Sequence, residues 1–267
     1  MRVDANGPMA IISTNGSIGG IGYEAVLIER GERSRVDDDS YVFWSAAGAT
    51  LMNRRYVNFA ESSDGLGRIR TGTNTSTDTD IFGNIIPGSD GTTLTLFDIT
   101  NVLQGGLDYV QLGRVSNGVS NGVQTYFAVG DPTPSPVMPT TGSARYAGGT
   151  RGTYLTAAGV SYQTASDITM NANFGTGQIT GSTTNLRMID SNGAAATTPA
   201  GLNFNFTANI AGAAFNGTAS SPSMTGSVDG RFYGEPGGAP VEAGLSYSLG
   251  AAAGGGRLVG VGGLKRE

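Results

Sequence analysis

Apolar and polar side chains alternate with a period of two in several stretches of the second half of the chain. From Leu202 to Ile210 every second residue is apolar, and the residues between them are Asn or Thr. Residues 168–174 alternate in the same way. This alternation predicts strands with one face buried and the other in water. Further strands are predicted near 143–149, 152–158, 178–188, 213–220, 224–234, 242–250 and 257–265.

Glycine-rich and asparagine-rich turn signals separate these predicted strands, as in Asp190-Ser191-Asn192-Gly193. About eight short strands within the second half indicate a closed antiparallel barrel or a sandwich. Gly181, Gly226 and Gly230 lie inside strand patterns, which is typical of sites where a barrel strand bends. A barrel of eight strands is just wide enough for side chains to fill. We therefore expect a packed interior and recognition through loops or an outer face.

The first half is less regular but still rich in strand signals. Thr71–Asp80 reads as a polar loop, and Phe97–Gln104 as one short helix capped by Asp98. Four prolines in residues 131–139 predict an extended connector. The predicted organisation is all-β, with a handle-like domain at 1–130, a linker at 131–141 and an eight-stranded barrel at 142–267. Strands of the first domain are predicted at 21–29, 40–46, 56–60, 92–99, 109–115 and 125–129.

Composition removes several classes of function. The chain has no Cys and no His, so it lacks thiolate ligands, the commonest general base and the usual haem ligand. Its net charge is −5 and Lys265 is the only lysine, which gives phosphate binding little electrostatic support. We therefore expect a protein that is not an enzyme, holds no cofactor and binds no nucleic acid.

Three short motifs have simpler explanations than chemistry. Residues 118–122 match the G-x-S-x-G elbow of serine hydrolases, but no His base exists and the Asn-Gly pairs there predict turns. Residues 19–24 resemble a single turn of a calcium-binding β-roll, which binds only when stacked. Asp37, Asp38 and Asp39 form an acidic loop, and a Ca²⁺ ion at this loop is left open.

The chain contains no apolar run of about 18 residues, the length that a membrane-spanning helix needs. The N-terminal residues also lack the apolar core of a signal peptide. Either the protein is made without one, or the chain has been trimmed to begin at Met1, with a lipidated Cys removed. The composition favours trimming of an extracellular protein.

Four motifs, in order along the second half, carry a resemblance to a known family. They are residues 138–148 (MPTTGSARYAG), 215–219 (FNGTA), 230–244 (GRFYGEPGGAPVEAG) and 260–266 (GVGGLKR). Together they resemble the barrel domain of the transferrin-binding protein B family, from Met138 to the C-terminal end. Gly262, Leu264 and Glu235 depart from the family pattern, whereas residues 1–130 resemble its handle domain only loosely.

The resemblance implies one handle and one barrel of a bacterial surface lipoprotein. Such a protein captures an iron carrier, a metal complex or another solute and passes it to a TonB-dependent transporter in the outer membrane. The partner would be a protein or a small solute, and the location would be the outer-membrane surface or the extracellular space. Because His is absent, haem is not expected. A structural or adhesive surface subunit that self-assembles is the alternative.

Ligand recognition is predicted to lie mainly in residues 1–130, which hold most of the charge, the irregular loops and the only tryptophan. Trp44, Arg54, Arg55 and Tyr56 are the candidate partner-binding residues, because Arg and aromatic side chains dominate binding energy at interfaces. Ordinary strand packing with two solvated arginines is the alternative for this group. No catalytic or metal-binding residues are predicted.

Overall fold

The structure is a computed structural model, and nearly all of its regular structure is β-strand. It describes residues 7–13, 25–29, 40–47, 50–74, 78–79, 85–86, 92–99, 106–116, 124–235, 237–252 and 255–267. The strands of the first half are β1 (Gly7–Ser13), β2 (Ala25–Glu29), β3 (Ser40–Ala47), β4 (Thr50–Ser63), β5 (Arg68–Asn74), β6 (Asp78–Thr79), β7 (Ile85–Ile86), β8 (Thr93–Phe97), β9 (Val110–Ser116) and β10 (Gln124–Gly130). The strands of the second half are β11 (Ser143–Leu155), β12 (Ser161–Asn173), β13 (Gln178–Ile189), β14 (Ala195–Ala196), β15 (Asn205–Ala211), β16 (Ala214–Ser220), β17 (Met224–Tyr233), β18 (Glu242–Ala251) and β19 (Arg257–Arg266).

The first half forms a closed ring of strands in the order β1-β10-β9-β8-β5-β4-β3-β2, and β1 pairs with β2 to complete it. The two-residue strands β6 and β7 pair with each other in a separate two-stranded sheet. Every pairing in the ring is antiparallel. This unit is therefore more regular than the sequence pattern indicated.

The second half forms an antiparallel barrel, as the alternation predicted. Its strands follow the order β12-β11-β19-β18-β17-β16-β15-β13, and pairing of β12 with β13 closes the barrel. The short strand β14 adds to the edge of β13. The two strands predicted at 143–149 and 152–158 are a single strand, β11, because glycines continue it where the neighbouring backbone comes close. A Cβ at Gly148 would lie 1.9 Å from the backbone oxygen of Gly263 on β19.

Aromatic rings fill the barrel interior. The rings of Phe204 and Tyr247 are 4.9 Å apart between centroids, and those of Phe215 and Phe232 are 5.3 Å apart. The Tyr146 ring lies 5.8 Å from Phe232, and its hydroxyl donates to the carbonyl of Pro240 at 3.1 Å. All five side chains are buried. The planes of these ring pairs are tilted by 48° to 57°, and contacts between aromatic rings add to the energy of burial alone.

Glycines inside the strands leave room for aromatic rings from the neighbouring strand. Gly181 lies opposite Phe206, and a Cβ on Gly181 would lie 2.1 Å from Cζ of that ring. Gly230 lies opposite Phe215 in the same relationship, also at 2.1 Å. The absence of a side chain therefore makes room for a ring across the strand pair, a requirement beyond the bend that the sequence indicated.

Two expectations for the first half are wrong where the structure describes them. Residues 71–74 belong to strand β5 and are not a loop; the apolar signal was missing because Gly72 lies under the ring of Phe59 from β4. Phe97 ends strand β8, and the N–H of Asp98 donates to the carbonyl of Arg68 at 3.1 Å, so no helix begins at this point. Ile99 is not helical either, and residues 100–104 lie outside the described residues.

The proline-rich segment 131–141 is held against the second barrel. Thr133 is buried, and its N–H donates to the carbonyl of Phe232 at 2.9 Å. Pro132 forms an isolated bridge with Tyr233. Ser135–Val137 then make one turn of 3₁₀ helix with no buried residues. The segment thus begins as an anchored chain and continues as an exposed one.

Three of the sequence motifs, at 19–24, 37–39 and 118–122, lie outside the described residues. Within the described ranges, no helix has the length and apolar character needed to cross a membrane.

Candidate functional site

The two β units meet along a buried junction. Its apolar part joins Val110, Leu112 and Tyr126 of the first unit to Val259 and Val261 of the second. These side chains are between 0% and 2% exposed. A buried, apolar contact of this kind resembles a continuous core more than a transient domain interface. The junction therefore fixes how the two units sit relative to each other.

Glu242, the first residue of β18, connects the units through its carboxylate. One carboxylate oxygen accepts the N–H of Asp108 at 2.6 Å. The other accepts the N–H groups of Tyr109 at 2.8 Å and Val110 at 3.1 Å. Burial raises the pKa of Glu242, and the backbone N–H groups oppose that rise because they stabilise the charged form.

Lys265 completes this connection from the neighbouring strand β19, where it lies opposite Glu242. Its ammonium group donates to the carboxylate of Asp108 at 2.7 Å. This bond raises the pKa of Lys265, while partial burial opposes the rise. The only lysine of the chain therefore forms part of the junction between the two β units.

Arg151 forms a second polar connection, from β11 of the barrel. It is 4% exposed, and its guanidinium group forms an ion pair with Asp64 in the turn between β4 and β5. The guanidinium carbon also lies 5.0 Å from the ring centroid of Phe97. Asp64 accepts the N–H of Leu66 at 3.0 Å as well, which orders the turn.

A third group of contacts consists of hydroxyl and amide side chains. The Tyr126 hydroxyl lies 2.7 Å from the Thr153 hydroxyl, which donates to the amide oxygen of Gln124 at 2.7 Å. Gln163 of β12 approaches the same hydroxyls at 3.3 Å and accepts a hydrogen bond from Arg114. This network lies beneath a cleft of about 580 Å³ at the junction.

The cleft is bounded by turns from both units and lined mainly by polar residues. One wall is the β4–β5 turn at Ser63, Asp64 and Gly65, and the opposite wall is the turn at 190–193 that follows β13. Arg114, Gln124 and Gln163 also line it. Within the described part of the chain, no group of three or more acidic side chains lies close enough together to hold a metal ion.

The four predicted partner-binding residues all lie on the hairpin of β3 and β4. Tyr56 pairs with Tyr41, Arg55 with Val42 and Arg54 with Phe43, while Trp44 pairs with Asn53. The side chains of Trp44, Arg54 and Arg55 lie outside the described part. Tyr56 is 0% exposed, and its hydroxyl lies 2.9 Å from that of Thr92, so its ring supports the strands from inside.

Sequence reasoning did not single out the residues of the cleft. Arg114 lies in β9 and Gln163 in β12, and their contact joins positions 49 residues apart. Glu242 lies within a motif that carries the family resemblance, but the motif does not identify its partners. The contacts of these side chains depend on the docking of two units, for which no local pattern exists.

Comparison with known proteins places the barrel in a family. Residues 138–266 match the family model described as the C-lobe and N-lobe β-barrels of transferrin-binding protein B. No curated protein sequence matches the chain.

Several solved structures are similar to this chain. The haemoglobin receptor HpuA from Kingella denitrificans is 15% identical, with a TM-score of 0.50, and the match covers 97% of this chain and 87% of that one. Transferrin-binding protein B from serogroup B Neisseria meningitidis is 15% identical (TM-score 0.47), with coverage of 91% and 63%. A Trp-176-Ala mutant of the Haemophilus parasuis protein is 14% identical (TM-score 0.44), with coverage of 92% and 66%.

The chain spans at most 66% of the length of these two transferrin-binding proteins. Its second unit has the closed antiparallel barrel that the family model describes, over nearly the same residues as strands β11–β19. Residues 138–266 are therefore similar to the β-barrel domains of transferrin-binding protein B.

Proposed function

We propose that this chain is a non-enzymatic binding protein of the bacterial cell surface that captures an iron-carrier protein, a metal complex or another solute. The observation that carries the proposal is the family match over residues 138–266. A haemoglobin receptor with a similar arrangement along 97% of this chain supports the same class of function. Delivery to a TonB-dependent outer-membrane transporter and a lipid anchor in the precursor are parts of the proposal.

The junction gives this proposal a physical basis. Glu242, Arg151 and the apolar contacts between them hold the two β units as one scaffold. Binding usually concentrates in loops on a rigid scaffold. Such loops are already partly ordered, so less conformational entropy is lost when a partner binds. Trp44, Arg54 and Arg55 on the β3–β4 hairpin are the proposed contact residues. Tyr56 contributes from the interior by supporting that hairpin.

Capture is tested with the purified chain immobilised on a sensor and exposed to human haemoglobin and to transferrin, each with and without iron. Saturable binding of one carrier is the expected result. The variant Trp44→Ala with Arg54→Ala and Arg55→Ala should weaken binding by about tenfold or more. The matched control is Arg145→Ala, which removes an exposed arginine of the barrel paired with Glu267.

Two results would overturn the proposal or part of it. Normal binding by the triple variant would remove the hairpin as the contact surface. Binding to neither carrier nor any metal complex, together with filaments or lattices of the pure chain, would replace capture with a structural role.

A further inference from the structure

The cleft at the junction is separate from the β3–β4 hairpin proposed for partner capture. At one end its walls meet, because a Cβ on Gly65 would lie only 3.3 Å from the carbonyl oxygen of Gly193. Its volume of about 580 Å³ lies within the range that accommodates small molecules, about 300–1,000 Å³. A site between two packed units is also where such molecules commonly bind.

Arg114 is the notable charge in this cleft. Its guanidinium group is partly buried and donates one hydrogen bond, to the amide oxygen of Gln163. Its Nε atom is buried without a hydrogen-bond partner. Among the described residues, Arg114 forms no ion pair. A partly buried guanidinium with five N–H donors and one acceptor has spare capacity for an anion.

The two carboxylates that line the cleft are already engaged. Asp64 forms an ion pair with Arg151 of β11. One oxygen of Asp190 accepts the N–H groups of Asn192 and Ala194, at 2.8 Å and 2.9 Å. Neither neutralises Arg114. Both nevertheless add negative charge to the walls, which disfavours a multiply charged ligand.

We propose that the cleft binds a small hydroxylated monocarboxylate, whose carboxylate pairs with Arg114. A guanidinium group suits a carboxylate because its donors match the two oxygens in one plane. The hydroxyl groups of the ligand would contact the Ser63, Ser161 and Ser191 side chains, which line the same cleft. Phosphate carries more negative charge than a monocarboxylate, and Asp64 and Asp190 would repel it more strongly.

D-galacturonate tests this proposal, with galactose as its matched control, since the two sugars differ in the carboxylate. Isothermal titration calorimetry of the full chain should detect saturable binding of galacturonate and none of galactose. Arg114→Met should weaken binding by about tenfold or more, because hydrogen bonds to charged groups are among the strongest in proteins. Arg114→Lys should fall between Met and the original residue, since it keeps the charge and loses the planar donors.

A second variant keeps the test independent of any effect of Arg114 on folding. Ser191→Trp places a large ring on an exposed turn residue at the cleft wall and should abolish binding while the melting temperature stays unchanged. Arg68→Met, at an exposed arginine paired with Glu61, is the control for lost positive charge. It should bind as the original chain does.

Four outcomes would each overturn the proposal. They are equal binding of galactose and galacturonate, tighter binding of inorganic phosphate than of galacturonate, full binding by the folded Ser191→Trp chain, and no binding of galacturonate. Capture of a carrier protein by the Arg114→Met chain reports on the hairpin alone, so the two proposals fail separately.

Discussion

A carboxylate oxygen of Glu242 accepts the backbone N–H of Tyr109 at 2.8 Å, across a sequence separation of 133 residues. Tyr109 immediately precedes strand β9 of the first unit, and Glu242 begins strand β18 of the barrel. The bond belongs to a set of three that all end on one buried carboxylate. Buried N–H groups need acceptors, so Glu242 satisfies backbone that would otherwise be costly to bury.

Replacing Glu242 by Gln should destabilise the full chain. The amide keeps one acceptor oxygen but turns N–H donors toward backbone N–H groups that donate to the carboxylate in the original chain. We expect a loss of about 2–4 kcal/mol in the free energy of unfolding, since breaking a buried charged contact leaves its partners unsatisfied. Urea denaturation followed by circular dichroism measures it.

Glu61→Gln is the control for that experiment. Glu61 pairs with Arg68 at 3.2 Å, and both side chains are about two-thirds exposed, at 65% and 67%. Surface pairs of this kind contribute little, about 0–1 kcal/mol. A Glu242→Gln chain as stable as Glu61→Gln would show that the junction does not depend on this carboxylate.

The barrel was predictable because its information is local. Period-two alternation in residues 202–210 and 168–174 marks strand faces that are buried in β15 and β12. Strand β5 escaped prediction because its inward position is Gly72, whose apolar cover comes from Phe59 on another strand. The cleft could not be predicted from the sequence for a related reason. Arg114 acquires its role only from Gln163 and from the turns of both units, and no single stretch of sequence contains that information.

Phe204→Ala should cost about 3–5 kcal/mol of unfolding free energy, because truncating a buried aromatic side chain leaves a cavity. Phe204 is 2% exposed and packs on Tyr247 with 4.9 Å between ring centroids. The comparison is Val160→Ala, at a side chain that is 48% exposed, which should change stability by less than about 0.5 kcal/mol. Equal stabilities for the two variants would contradict the packed barrel interior.

Gly181→Ala should destabilise the barrel by about 1–3 kcal/mol, the usual cost of overpacking a core. The new Cβ would lie 2.1 Å from the buried ring of Phe206 and 2.7 Å from the carbonyl oxygen of Thr169, so neighbouring groups would have to move. Gly250→Ala is the matched control, because no atom lies within 4 Å of its added Cβ. Thermal denaturation should therefore show a lowered melting temperature for Gly181→Ala and an unchanged one for Gly250→Ala. A melting temperature unchanged by both substitutions would refute the ring-over-glycine arrangement.

Alkaline titration should distinguish buried from exposed tyrosines in the native chain. Burial raises the pKa of Tyr146 to about 12, and burial also raises the pKa values of Tyr233 and Tyr247. These phenols ionise more readily in the unfolded chain than in the folded one. Their contribution to stability is therefore complete below about pH 10 and is lost as the pH rises through the higher folded pKa values.

Ultraviolet absorbance of tyrosinate should show that at least these three of the 10 tyrosines remain protonated at about pH 11 while circular dichroism reports a folded chain. Tyr146→Phe should leave the absorbance below that pH unchanged, because Tyr146 does not ionise there. If all 10 tyrosines ionised near pH 10 with the fold intact, their burial in the barrel would be disproved.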